Sequence, residues 1–375
     1  MPFTMVDLCA GIGGMRKGFE LTGHFINKSA AEIDKFACLT YRQLYGDDAY
    51  HDLTTDEYKE LLDELHYDVL LAGFPCQTFS RAGLEEGFNN AEKGIIFNHI
   101  AKIIRRNRPR AIFLENVDHL VRHDKGNTFK VIIDTLEKAL NYKVIGVNYD
   151  FNGNPVYRGR DFIRNSRNFG IPQNRPRTYI MAFDRQRYGT EALLGVDNYL
   201  PEKNEWYIYE DLNDLLEMHA EAKYYMASGY LETLERHRER EKNKGNGYGY
   251  RVVNLPEIEH PVANTIMATG GSGKERNLVY DPQDGIAGMI IPTKRTPLNS
   301  KGIRVMTPRE WGKLQGFINY AFLDEHGNDL FMFPEGMSMQ QQYKQFGNSV
   351  TIPVIETMAE FMVNCFRVLG DMPSE

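Results

Sequence analysis

The chain contains no run of about 18 apolar residues, so no segment of it reads as a membrane-crossing helix. It also lacks the basic stretch and apolar core of an export signal. The first residues, MPFTMVDLCAGIGG, run straight into a strand pattern. Cysteine is scarce. Cys9, Cys38, Cys76 and Cys365 fit neither a zinc-ligand spacing nor a tight disulfide framework. The expected compartment is therefore a reducing cytoplasm. A thiol that stays free there can act as a nucleophile. No internal repeat and no low-complexity tract appears, which excludes solenoids and fibrous arrays. An excess of positive charge is missing too. The net charge of −7, taken alone, argues mildly against a nucleic-acid partner.

The 375 residues that are there, 42% hydrophobic and 25% charged, have the balance of an ordinary globular protein. The length suits two structural parts, or one domain with a large insertion. Local charge departs from the total. Residues 151–189 hold eight arginines (Arg158, Arg160, Arg164, Arg167, Arg175, Arg177, Arg185 and Arg187) against Asp161 and Asp184. That density makes a candidate phosphate-facing patch, with a solvated loop as the equal alternative.

Over the first 150 residues, short apolar runs alternate with amphipathic ones. Strands are predicted at 3–8, 25–32, 67–73, 110–117 and 142–150, and helices after Gly14 and at 34–46, 94–107 and 128–140. A further strand is predicted at 178–183. This alternation predicts an α/β fold with a doubly wound, mostly parallel sheet covered by helices. From 186 to about 300 the periods loosen. The segments 242–251 and 269–277 read as loops with mobile tips. The apolar stretch 349–370 reads as a helix that packs back on the first part. The expected division is 1–185 for catalysis and cofactor, 186–337 for a second domain with its support, and 338–375 for the returning segment.

Three strand ends carry chemistry. Asp7-Leu8-Cys9-Ala10-Gly11-Ile12-Gly13-Gly14 turns a strand into a helix, where glycines let a ligand approach the backbone. Glu32 ends the next strand and is placed to accept from ribose hydroxyls, with Asp52 further on as a partner for an adenine amino group. A helix cap or a solvated charge explains either acid taken singly. Gly73-Phe74-Pro75-Cys76-Gln77 follows a strand at the edge where open α/β sheets place their sites. A small buried residue is the equal alternative for Cys76. Glu115-Asn116-Val117 follows the neighbouring strand. A carboxyl in a partly dry pocket there could hold a proton for donation. Arg177, in Gln173-Asn174-Arg175-Pro176-Arg177, could offer a forked donor to a carbonyl oxygen.

Six segments, DLCAGIGG, GFPCQTFS, ENV, QNRPR, TPREWGKLQGF (307–317) and FGNSV (346–350), together resemble the blocks of the DNA cytosine-5 methyltransferase family. They stand in the family's order over residues 3 to about 360. The resemblance implies a Rossmann-like methyltransferase fold with a smaller target recognition domain at 186–337. It implies methyl transfer from S-adenosyl-L-methionine, leaving S-adenosyl-L-homocysteine, to carbon 5 of a flipped-out cytosine in duplex DNA. The implied catalytic set is Cys76 as nucleophile, Glu115 as proton donor, Asn116 and Arg175 beside it, and Arg177 on the carbonyl oxygen. The implied cofactor set is Asp7, Cys9, Gly11, Gly13, Glu32, Ile33, Asp52, Leu53, Pro75, Ile96, Asn348 and Ser349. Gln77, Ser80 and Thr265 fall on DNA-contacting positions, and no metal is implied. Arg309 and Glu310 match a block that supports the recognition domain.

Two features depart from the pattern. Cys9 stands where the family usually has phenylalanine. Residues 151–164 are longer than the usual link, and their Asn154-Pro155-Val156-Tyr157 reads as a turn. A compact chain of this kind resembles bacterial or phage enzymes. That implies a cytoplasmic monomer, with a restriction endonuclease as counterpart by function rather than by contact. A tRNA cytosine-5 methyltransferase and a catalytically silent DNA-binding relative are the alternatives. Phe74 and the long variable region favour DNA over tRNA, and the intact catalytic set favours an enzyme.

Overall fold

The computed structural model describes residues 1–75, 96–245, 249–268 and 274–373. The chain forms two compact units. The first comprises Met1–Asn165, Pro176–Asn204 and Ile352–Glu375, and the second Ser166–Arg175 and Glu205–Thr351.

The first unit is built on a seven-stranded sheet. Its elements are β1 (Phe3–Leu8), α1 (Gly14–Leu21), β2 (Phe25–Ala31), α2 (Lys35–Tyr45), α3 (Asp56–Leu65), β3 (Val69–Gly73), α4 (Ile96–Asn107), β4 (Ala111–Val117), α5 (Asn127–Asp134), β5 (Tyr142–Val144), β6 (Ile163–Asn165) and β7 (Pro176–Asp184). The strand order is β2-β1-β3-β4-β7-β5, with β6 also pairing β7. The β1–β2, β1–β3 and β3–β4 pairs are parallel. β7 is antiparallel to β4, β5 and β6, so it alone runs against the rest.

Alternating side chains explain the double winding. Val6, Leu8, Leu70, Ala72, Ile112 and Leu114 join one buried cluster with residues of α3, α4 and α5. Phe3, Phe113 and Phe183 point the other way, where Phe3 stacks on Phe366 (centroids 4.3 Å apart) and Phe113 meets Phe19. The helix Ile352–Val368 lies on that second face beside α1. Gly18 allows the approach, because a Cβ there would sit 2.6 Å from the Ile355 side chain.

Local chemistry sets the boundaries. Asp34 caps α2 by accepting from Phe36 N at 2.9 Å and Ala37 N at 3.3 Å. The predicted strand 142–150 leaves the sheet after Val144. Gly146, at φ +91°, turns the chain where a Cβ would meet the Phe162 ring at 3.1 Å. Residues 148–149 instead pair with 155–156, and Asn154 closes that hairpin's turn onto Asp150. The predicted helix 128–140 is α-helical to Asp134 and then widens into a single π turn. The C-terminal helix begins at Ile352 rather than at 349, because Ser349 lies in extended backbone. Helix α3 was not anticipated.

The second unit contains α6 (Ser228–Asn243), β8 (Leu278–Tyr280), β9 (Ile303–Val305), α7 (Pro308–Leu314) and α8 (Met339–Asn348). Its β8–β9 pair is antiparallel. A buried ion network crosses its core. Arg304, fully buried, donates to Glu310 at 2.7 and 2.8 Å and to Asp281 at 2.6 Å. Glu310 also accepts from the Thr307 amide at 2.7 Å in a capping box that starts α7. Among the described residues no helix is long and apolar enough to cross a membrane, and no cluster of side chains could hold a metal ion.

Candidate active site

The ends of β3, β4 and β7 come together in the first unit. Gly73 pairs with Glu115, and Arg177 pairs with Val117. The Arg177 Nε lies 3.3 Å from Glu115 Oε1, with both side chains 12% exposed. Glu115 Oε2 stands 3.6 Å from where a Gly73 Cβ would be, so the missing side chain makes room for the carboxylate. Asn116 is buried. Its amide donates to Phe74 O at 2.7 Å, and its oxygen accepts from Val117 N at 2.9 Å. One side chain thus fixes β4 to the turn that leads into Cys76. Arg177 Nη1 donates to Pro176 O at 2.8 Å, and its Nη2 has no partner among the described residues. A carboxyl, an open guanidinium nitrogen and a braced turn can together protonate and hold a carbonyl-bearing ring.

A second set surrounds the glycine loop. Cys9, Gly11 and Gly13 all adopt positive φ, of 57°, 57° and 78°. Nothing lies within 4 Å of a Cβ built on Gly11, whereas one on Gly13 would strike the Tyr45 ring at 2.4 Å. Tyr45 donates its hydroxyl to Gly13 O at 2.7 Å. Glu32 closes the loop by accepting from Gly11 N, Ile33 N and Asp34 N, each at 2.8 Å. Two of these bonds fill Oε1, which leaves capacity on Oε2 for a hydroxyl. Ile33 is 68% exposed beside it, an apolar platform in open space. Asp52 accepts from Thr54 N at 2.8 Å and Thr54 Oγ1 at 2.7 Å through Oδ1 alone. These bonds to Thr54 hold its carboxyl below the usual range. An open backbone cradle, a carboxylate with spare capacity and an apolar platform fit an adenosyl cofactor.

The other expected residues lie at different depths. Asp7 is fully buried. Its Oδ2 accepts from Arg16 N at 3.3 Å, and its Oδ1 has no hydrogen-bond partner among the described residues. Burial pushes its carboxyl up to about 7. It braces the loop through the Arg16 amide. Leu53 packs in the core. Cys9 is half-buried, and burial pushes its thiol up. Pro75 is exposed and Ile96 half-buried at the start of α4. Arg175 is a correction. It is buried in the second unit, with donors committed to the carbonyls of Ile266, Gly347 and Ser349. Asn348, Ser349 and Thr265 belong to that unit as well. Cys76, Gln77 and Ser80 lie outside the described residues.

The arginine-rich stretch, open between a phosphate-facing patch and a solvated loop, is largely tied down within the protein. Arg164 donates to Leu200 O and Pro201 O, Arg185 pairs with Glu137, and Arg187 pairs with Asp371. Arg160 pairs with Asp161 at 3.7 Å, and with Arg175 and Arg177 most of the eight arginines engage groups of the protein itself. Tyr45 was missed, since nothing in the order of residues links it to Gly13. Arg16 was missed too. It lies 4.1 Å over the Tyr45 ring and pairs with Asp47 at 2.6 Å.

A glycine loop after the first strand and a carboxylate after the second, on a doubly wound sheet, make a Rossmann-like site for an adenosyl-bearing cofactor. The chain belongs to the C-5 cytosine-specific DNA methylase family, whose sequence pattern it matches over residues 3–364, and is thus a DNA cytosine-5 methyltransferase. It is 40% identical to the Type II methyltransferase M.HpaII of Haemophilus parainfluenzae, over 94% of this chain and 87% of that one. It is 36% identical to the Type II methyltransferase M1.ScrFI of Lactococcus lactis subsp. cremoris, over 96% of this chain and 78% of that one. Among solved structures, the methyltransferase EhMeth of Entamoeba histolytica shares the fold. Its TM-score is 0.65 at 19% identity, covering 97% of this chain and 98% of that one.

Proposed function

We propose that the protein methylates carbon 5 of a cytosine flipped out of a specific duplex DNA sequence, through a covalent adduct on Cys76. The observation that carries this reading is the Glu115–Arg177 pair beside the Gly73-Phe74-Pro75 turn that runs into Cys76. The Cys76 thiolate adds to carbon 6 of the ring, and the electron pair of the 5,6 double bond makes carbon 5 nucleophilic. Glu115 gives a proton to ring nitrogen 3 as the thiolate adds. Arg177 Nη2 holds the carbonyl oxygen. Asn116 keeps the two strand ends in register. S-adenosyl-L-methionine, when bound, supplies the methyl group. Loss of the carbon 5 proton and departure of Cys76 then restore the double bond.

The cofactor residues in this reading are Gly11, Glu32, Ile33 and Asp52. Glu32 takes a ribose hydroxyl, Asp52 the adenine amino group, and Ile33 one face of the ring. Residues 186–337 read the DNA. Supporting this, the two glycine-rich loops share a base, where Arg251 N donates to Glu275 O at 2.7 Å and Leu278 N donates to Arg251 O at 3.0 Å. The exposed Arg251 side chain sits at that base. Gln77 and Ser80 would contact phosphates. A cytoplasmic monomer, paired by function with a restriction endonuclease, completes the proposal, which rests here on the Type II methyltransferase relatives.

The test is transfer of labelled methyl from S-adenosyl-L-methionine to duplex DNA and to tRNA, with base-by-base mapping. Label on cytosine carbon 5 within one short DNA motif is expected. Label confined to tRNA, or to a nitrogen, contradicts the reading.

A further inference from the structure

The glycine loop of the first unit is held by bonds at Ala10, Gly11 and Gly13. Ala10 N donates to Ala31 O at 3.0 Å, Gly11 N to Glu32 Oε2 at 2.8 Å, and Gly13 N to Ala10 O at 2.8 Å. The Gly13 carbonyl accepts twice, from Lys17 N at 2.9 Å and from the Tyr45 hydroxyl at 2.7 Å. The first of these bonds starts α1, and the second comes from the last residue of α2. Gly11 faces open space, since a Cβ there would meet nothing within 4 Å. At Gly13 a Cβ would lie 2.4–2.8 Å from Tyr45, so ring and loop are fitted to each other. The ring is braced in turn. The Arg16 guanidinium lies 4.1 Å from its centroid, and donates to Asp47 at 2.6 Å, Glu20 at 2.8 Å and the Tyr41 hydroxyl at 2.9 Å.

Left-handed backbone is costly for a residue with a Cβ, and Cys9 adopts it at φ 57° just ahead of Gly11 and Gly13. Such a run keeps its shape only while neighbouring groups hold it. Glu32 holds it at Gly11, and Tyr45 holds it at Gly13. Burial pushes the Tyr45 hydroxyl well above the ordinary phenol range, so it stays a donor. A loop already in its bound shape spares the ligand the cost of ordering it. We propose that Tyr45 is a positioning residue for the adenosyl cofactor, whose hydroxyl holds the Gly13 carbonyl and so keeps the open face of the loop in its binding shape before the ligand arrives. This rests on the reading of the glycine loop as the cofactor cradle. Phenylalanine at 45 keeps the ring and its contact with Arg16, and loses only the bond to Gly13 O.

The test measures the dissociation constant of S-adenosyl-L-homocysteine, which does not turn over, for wild type, Tyr45→Phe and Tyr142→Phe. Tyr142 is the matched control. Its buried hydroxyl donates to Pro109 O at the same 2.7 Å, from β5 at the opposite edge of the sheet to β2. Tyr45→Phe is expected to bind about 5-fold more weakly. It should raise KM for S-adenosyl-L-methionine by a like factor and leave kcat nearly unchanged. Tyr142→Phe is expected to lower the melting temperature and keep the wild-type dissociation constant. Should Tyr45→Phe fail to fold, Asp47→Asn decides, since it loosens Arg16 against the ring and leaves the loop's own bonds in place, and weaker binding is again expected. Wild-type affinity in the deciding variant overturns the proposal, as does an equal weakening in Tyr142→Phe. A wild type that does not bind S-adenosyl-L-homocysteine overturns the cofactor reading instead.

Discussion

Arg175 and Arg177 stand one proline apart, yet they belong to different units and meet different partners. Arg175 is buried with its two Nη nitrogens on three backbone carbonyls. Arg177 keeps Nη2 open beside Glu115. The same contrast holds between the regions around them. In the second unit, cations are satisfied internally, as Arg304 is by Glu310 and Asp281. At the strand ends of the first unit, capacity is left over on Arg177, Glu32 and Asp52. Satisfied polar groups hold a shape. Groups with spare donors or acceptors are where a ligand gains most, since water is all that it displaces.

Substitutions should separate these two kinds of region. The largest effect is expected for Glu115→Gln, which keeps shape but cannot lose or give the proton. It should lower kcat by about 10²–10⁴-fold with an unchanged melting temperature. A large fall in melting temperature would instead place Glu115 among the structural groups. Arg304→Ala should do the opposite and cost about 3–5 kcal/mol in denaturant unfolding, because it strands a buried Glu310. Little loss of stability would show that the second unit does not depend on that network.

Asp7 offers a pH test. Burial raises its folded pKa to about 7, so the folded state holds this proton over a range where the unfolded chain, near 3.8, has released it. Its contribution favours folding below about 4 and is lost as pH rises toward 7. Asp7→Asn should therefore gain melting temperature relative to wild type between about pH 4 and 7, with the gap level above. A pH-independent gap would contradict the buried, poorly paired carboxyl. The smallest effect is expected for Arg251→Ala. It should weaken DNA binding uniformly across sequences and reduce the salt slope by about 1. An unchanged slope would remove Arg251 from the DNA surface.

Much of the first unit was legible because its signals are local. Short, mostly apolar segments at 3–8, 69–73 and 111–117 read as buried strands, and Asp34 and Gly46 bracket α2. Because the blocks end on strands, Glu115 and Asn116 could be assigned to one sheet edge before any coordinates. What stayed hidden depends on distant partners. Arg175 and Arg177 share a short motif, and nothing in it says which will be buried against Gly347 and Ser349. The arginine-rich stretch could be read only as a phosphate surface or a solvated loop, because Glu137, Asp371 and the carbonyls that hold its members lie far off in sequence. Tyr45 under Gly13 is a meeting across 32 residues. The second unit has weak periodicity, and α6 is too polar to show a buried stripe.

The most direct test of the proposed chemistry is a trap on the covalent step. A duplex carrying 5-fluorocytosine at the methylated position cannot release the proton needed to free the thiol after methyl transfer. Wild type with S-adenosyl-L-methionine should form a stable protein–DNA adduct that peptide mass analysis maps to Cys76, and Cys76→Ala should form none. Methylation of ordinary DNA without any adduct on the fluorinated duplex, or an adduct that maps to Cys9 or persists in Cys76→Ala, would contradict it.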